Sequence, residues 1–187
     1  RGSGSRGNGG SGKAALIIRD SGIEIVTGGV WQKNDKGDWQ YKKVSNSLAT
    51  GWNYISSPSG TNWYHFDENG TMDSGWYLDT DGRWYYLEVS GSIQGAARTG
   101  WHYDALDGRI YYLDPVSCAM VTGWNQIDGV WYYFTEYVPA KTGWNQDSES
   151  GQWVFDGGTI KPLGSMWQET ETPDGYIVNE NGAWVQR

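Results

Sequence analysis

The chain is 187 residues long, enough for one or two compact domains or a repeat array, and its 28 Gly, 13 Trp and 13 Tyr leave too little aliphatic side chain for an ordinary core. Its 14 basic and 22 acidic residues give a net charge of −8, which repels phosphate backbones and anionic lipid and argues against nucleic-acid or acidic-membrane partners. Cys118 is the one cysteine, so an internal disulfide is excluded, and no run of about 18 apolar residues is present to cross a membrane as a helix.

Residues 1–13 are rich in Gly and Ser and read as a flexible linker, native or introduced. The apolar runs 14–18 and 23–26 flank Asp20-Ser21-Gly22 and predict a first, aliphatic hairpin, which places a capping unit at residues 14–30. The chain opens at Arg1 without a charged-then-apolar leader, which suggests a processed or excised piece.

From residue 31 to 187 the chain repeats itself. Trp31, Trp52, Trp76, Trp101, Trp124, Trp144 and Trp167 recur every 20 to 25 residues, and Gly directly precedes five of them. Tandem aromatic or apolar runs follow each, beginning at Trp39, Trp63, Trp84, Ile110, Trp131, Trp153 and Tyr176. The clearest copy is residues 122–134, Thr-Gly-Trp-Asn-Gln-Ile-Asp-Gly-Val-Trp-Tyr-Tyr-Phe. Its Asp128-Gly129 pair predicts a tight hairpin turn, because a type I′ turn needs positive φ at both central residues. Strand alternation puts Trp131 and Tyr133 on one face and Tyr132 and Phe134 on the other. A lone hairpin is marginally stable, so copies must stack. The predicted fold is all-β, a solenoid of about seven stacked β-hairpins.

Catalytic chemistry finds little support in the pattern. Asp67, Asp81, Asp107, Asp128 and Asp174 fall beside Gly or Asn, where carboxylates bond the local backbone. His65 and His102 are the two histidines, and Cys118 has no metal-like spacing to either. No nucleophile elbow, phosphate-binding Gly loop or EF-hand spacing is present. The expectation is no catalytic residue, no metal and no cofactor.

Residues 66–76, Phe-Asp-Glu-Asn-Gly-Thr-Met-Asp-Ser-Gly-Trp, together with the recurring Gly-Trp and Trp-Tyr-Tyr-Phe, resemble the cell-wall-binding repeat of choline-binding proteins from Gram-positive bacteria and their phages. Similar repeats look like the glucan-binding modules of streptococcal glucosyltransferases and the receptor-binding repeats of large clostridial toxins. The resemblance implies ligand cages between successive hairpins, each made of two Trp from one repeat and an aromatic from the next, often closed by Met.

Carried over by position, it implies sets of Trp52 and Trp63 with Tyr86, Trp76 and Trp84 with Tyr112, and Trp124 and Trp131 with Phe155. A weaker set pairs Trp101 with Tyr133, because Ile110 stands where Trp is expected. Met72 and Met120 hold the Met position. Trp144 and Trp153 meet Val178 in this scheme, and Trp31 and Trp39 meet His65. Trp167, Tyr176 and Trp184 read as terminal packing.

The implied function is a non-catalytic module, secreted or on the bacterial cell surface, that attaches a protein to choline-substituted teichoic acid or another cell-wall or glycan polymer. The resemblance also admits a carbohydrate-binding module whose Trp stack on sugar rings, and the pattern by itself a structural spacer. A homo-oligomer is compatible with such an array; nucleic-acid binding and membrane insertion are not expected.

Overall fold

A computed structural model describes residues 23–136, 144–146, 153–155 and 163–186, with 144–146 and 153–155 described as backbone only. The expected linker at 1–13 and the apolar run at 14–18 lie outside these residues. The described chain is all-β and contains no helix.

Hairpins follow one another along the chain. Strand β1 (Ile25–Val26) runs parallel to β4 (Gly51–Ser57), which pairs antiparallel with β5 (Gly60–Phe66). Between them in sequence lies the hairpin of β2 (Val30–Lys33) and β3 (Trp39–Lys42). Next come β6 (Gly75–Leu78) with β7 (Trp84–Leu87), β8 (Gly100–Asp104) with β9 (Arg109–Leu113), and β10 (Gly123–Ile127) with β11 (Val130–Phe134). The strands β12 (Trp144–Gln146) and β13 (Trp153–Phe155) form a further pair. The last sheet orders β14 (Thr170–Glu171), β15 (Ile177–Val178) and β16 (Trp184–Val185).

Among the described residues two compact units form, one of residues 23–102 with 113–120 and one of residues 103–112 with those from 121 onward. In the first, Tyr41, Ile55, Tyr64 and Phe66 make one buried cluster, and Trp63, Tyr85, Cys118 and Ala119 another. In the second, Ile127, Phe134 and Met166 are buried, with Ile110, Tyr112 and Tyr132 packed against them. Aromatic rings supply most of this core, as the composition requires.

Asp128 and Gly129 have φ of 50° and 82° between the paired Ile127 and Val130, the two-residue turn that the sequence predicts. Gly51, Gly75, Gly100 and Gly123, each just before a Trp, have φ between +66° and +80°. A side chain is disfavoured there, which explains why the repeat restarts on Gly-Trp.

After β5, β7, β9 and β11 the chain turns back and forms an isolated bridge: Met72 to Phe66, Ala97 to Leu87, Met120 to Leu113 and Met166 to Phe134. The same residue donates its backbone N–H to the preceding hairpin, Met72 to Trp39 O (2.9 Å), Ala97 to Trp63 O, Met120 to Trp84 O and Met166 to Ile110 O (each 2.8 Å). Three of these returns are short. The return from β11 reaches Met166 only after the β12–β13 hairpin, so that hairpin lies inside a connection. The sequence period, which counts residues 144–155 as one more repeat, does not anticipate this.

Gly51→Ala isolates the backbone requirement, because an added Cβ would meet nothing within 4 Å. It is expected to cost ~1–2 kcal/mol of stability, measured by urea unfolding.

Candidate functional site

In the β10–β11 register Trp124 faces Tyr133 and Gln126 faces Trp131, so all four side chains share one side of the hairpin. Trp124 and Trp131 are diagonal neighbours there. Together with Asp174, Tyr176 and Trp184 they line a cavity of about 410 Å³. Tyr176 stands 5.8 Å from Trp124 at 89° and 6.5 Å from Trp184 at 67°. Trp131, Tyr176 and Trp184 remain 42 %, 50 % and 39 % exposed, so their rings are open to a ligand.

Asp174 closes one side. The Trp124 indole Nε1–H donates to its Oδ2 at 2.8 Å, and the Thr172 hydroxyl donates to its Oδ1 at 2.6 Å. The Thr172 bond is the larger influence and, with the indole, holds the carboxyl below its ordinary value against a smaller opposing effect of burial. The carboxylate is therefore ionised at neutral pH and into mildly acidic conditions. Four aromatic rings beside one anion are an arrangement that can hold a cation, since each ring face carries the negative lobe of its quadrupole.

A second opening, of about 300 Å³, lies in the first unit over Trp31, Trp39, Tyr64 and Met72. The expected neighbour of these two Trp was His65. His65 instead stacks on Tyr77 at 4.2 Å and pairs with Asp73 at 2.6 Å, and the adjacent Tyr64, on the other face of the strand, meets Trp31 at 4.9 Å.

The remaining expected sets sort differently. Trp52 and Trp63 fall in one cluster, but the rings that meet Trp52 from the next hairpin are Tyr85, at 4.8 Å, and Tyr77, at 6.0 Å. Tyr86 is stacked on His102 at 3.9 Å and stands 5.2 Å from Trp76, its direct cross-strand partner. The reason is alternation: a residue that shares a face with its own hairpin's Trp pair cannot also point back to the previous hairpin. Trp76 and Trp84 meet edge to face at 6.5 Å but are 1 % and 2 % exposed, which makes them core.

Met120 is buried, and Tyr112 packs against the Ile127, Phe134 and Met166 cluster. Tyr133 lies between Trp124 (5.3 Å) and Trp167 (5.4 Å), on the face of its own hairpin. Trp101 is exposed. The Phe155 side chain lies outside the described residues, as do those of Trp144 and Trp153. Tyr176 and Trp184, expected as terminal packing, stand in the open cage, and Asp174 was read only as a turn residue. One signal for them was present: Asp174-Gly175-Tyr176 repeats the turn-then-aromatic order of residues 128–131.

Family models match the chain at two places, residues 49–93 to the choline-binding repeat and residues 122–136 to a putative cell wall binding repeat. Those two segments match the repeats of choline-binding and cell-wall-binding proteins. Glucosyltransferase-S of Streptococcus downei is 27 % identical over 121 residues, covering 64 % of this chain and 8 % of that protein. Among solved structures, choline binding protein F of Streptococcus pneumoniae, in the presence of a peptidoglycan analogue, is 37 % identical over 83 % of this chain and 46 % of its own, with a TM-score of 0.49. The cell wall endolysin from phage Cp-1 complexed with choline is 28 % identical over 85 % of this chain and 37 % of its own, with a TM-score of 0.45. The chain spans less than half the length of each of these proteins. The two matched segments hold both kinds of repeat aromatic, the closed pair Trp76 and Trp84 and the open pair Trp124 and Trp131.

Burial separates these pairs in a measurable way. Trp84→Ala is expected to cost ~3–5 kcal/mol in urea unfolding, the usual penalty for emptying a buried Trp site. Trp131→Ala is expected to stay within about 1 kcal/mol of the parent, as an exposed position should.

Proposed function

We propose that this chain is a non-catalytic module that fixes a larger protein to choline-bearing polymers of the bacterial envelope, choline-substituted teichoic acid above all, at the cell surface or after secretion. The hairpins of residues 31–187 act in this reading as a stacked solenoid that presents ammonium cages. The observation that carries it is the open cage of Trp124, Trp131, Tyr176 and Trp184 with the Asp174 carboxylate at its side.

A quaternary ammonium has no N–H to donate, so ordinary polar contacts cannot hold it. Ring faces can, at ~0.5–2 kcal/mol each depending on desolvation. Asp174 adds a charge-complementary wall worth roughly 1 kcal/mol at contact distance in a water-exposed site. Such sites are weak one at a time, and a polymer bearing many cholines gains from engaging several together. Two acids elsewhere support a non-catalytic reading because they are committed to turns. Asp67 Oδ1 accepts the N–H groups of Asn69 and Thr71, and Asp114 Oδ1 those of Val116 and Ser117.

Titration with choline chloride, followed through the indole N–H signals of Trp124 and Trp131 in 1H–15N spectra, tests the proposal. Saturable shifts are expected, and the neutral isostere 3,3-dimethylbutan-1-ol should bind more weakly; equal binding of the two would remove the cation from the reading. Trp131→Ala should weaken choline roughly tenfold, the loss of one ring face. Asp174→Asn keeps an acceptor for the Trp124 indole and removes the charge, so it should narrow the gap between choline and its isostere.

The lowered carboxyl value of Asp174 also sets a pH profile. The site stays anionic above it, so choline affinity should hold steady from pH ~7 down to the ordinary aspartate value near 3.9 and fall only below that.

A further inference from the structure

All three methionines of the chain occupy one structural position. Met72, Met120 and Met166 each bridge back to their own hairpin and give their backbone N–H to the carbonyl of a preceding one; Ala97 holds the same place after β7. The side chain therefore belongs to the closure between hairpins, where a flexible thioether fills irregular space.

Two of the three thioethers lie on a glycine of a later turn. A Cβ built on Gly95 would overlap the Met72 sulfur, and one built on Gly182 would stand 2.6 Å from the sulfur of Met166. Both glycines have positive φ, 87° and 79°, and both donate their N–H within their turn, Gly95 to Glu88 O at 2.7 Å and Gly182 to Asn179 O at 2.9 Å. The sulfur thus presses on backbone that is itself held, with no room on that side for another atom.

Access separates the three. Met120 and Met166 are buried, whereas Met72 is partly exposed and lines the opening over Trp31 and Trp39. The rest of its surroundings are apolar, the cluster of Tyr41, Ile55, Tyr64 and Phe66. We propose that Met72 is a reversible oxidation site, at which a hydroperoxide converts the thioether to a sulfoxide and loosens the closure of the β4–β5 hairpin onto the β2–β3 hairpin.

In that step a sulfur lone pair attacks one peroxide oxygen, an S–O bond forms and the O–O bond breaks. The departing hydroxide takes the proton from the transferred oxygen and leaves as water, so sulfur loses two electrons and the peroxide gains them. The product is polar and chiral where the seat is apolar and full, which weakens the hold of the same residue's N–H on Trp39 O, 2.9 Å away. Met120 and Met166, out of reach, keep their closures.

The test treats the intact chain with hydrogen peroxide and follows each methionine by peptide mass spectrometry. Met72 is expected to gain oxygen about tenfold faster than Met120 and Met166 in the folded chain, and at the same rate as they do in urea, where burial is lost. In 1H–15N spectra of the oxidised chain the Gly95 amide should shift, the Met72 amide should exchange with solvent about tenfold faster, and the Gly182 amide should stay in place. Methionine sulfoxide reductases A and B together, one for each epimer, should restore the starting spectrum. Met72→Leu keeps an apolar side chain of similar volume and should lose the response to peroxide.

Oxidation of Met72 no faster than that of Met120 and Met166 would overturn the assignment of the site. Complete oxidation of Met72 with an unmoved Gly95 amide and unchanged exchange would remove the loosening, as would a Met72→Leu chain whose Gly95 amide still shifts under peroxide. The reductase step needs no variant: a spectrum that stays altered once Met72 is a thioether again also counts against the proposal.

Discussion

Where a hairpin of this chain closes, one backbone N–H reaches past its own strands to the carbonyl of the preceding hairpin. Met72 reaches Trp39, Ala97 reaches Trp63, Met120 reaches Trp84 and Met166 reaches Ile110, at 2.8 to 2.9 Å. A two-stranded hairpin is marginal alone, and this bond sets the register in which each leans on its neighbour. The acceptor is always the position where the tandem run begins, so at Trp39, Trp63 and Trp84 the bond and the first ring of the run sit together. Everything said of the aromatic sites follows from that register.

The most direct consequence is the division of labour within each tandem run. Its first and third residues share a face with the Gly-Trp tryptophan of their own hairpin, as Trp84 and Tyr86 do with Trp76. The second residue points the other way, and it is the one that meets the previous hairpin, Tyr64 on Trp31 and Tyr85 on Trp52. Rings alike in sequence thus become core or cavity wall according to what covers them. Trp76 and Trp84 are sealed, whereas Trp131 keeps an open face because Tyr176 and Trp184 stand around a cavity beside it.

Charge then distinguishes two openings that aromatic content would make equivalent. Asp174 is held by Thr172 and by the Trp124 indole at the edge of one, and Lys33 stands over the Trp39 ring of the other. A charge beside a π face decides whether a cation is welcome, since the attraction of one ring is of the same order as a single solvent-exposed Coulomb contact. The rings of the two openings therefore have oppositely charged neighbours, supplied by residues outside the repeat consensus, in a turn and on a strand.

The sequence by itself determined the all-β class, the hairpin at Asp128-Gly129, the restart glycines and the spacing of the tryptophans. These are local requirements: positive φ, strand alternation and a regular period leave their mark on neighbouring residues. It also placed Trp124 and Trp131 in one hairpin, where strand alternation puts both on the same side. It did not identify Tyr85 in place of Tyr86, the burial of Trp76 and Trp84, or the β12–β13 hairpin as an excursion before Met166 closes β11. Nor did it bring Asp174, Tyr176 and Trp184 to Trp124, about 50 residues away in the chain. Those contacts depend on which hairpin docks on which, and only the tertiary structure decides that, because the same aromatic repeat is equally able to fill a core or to line a cavity.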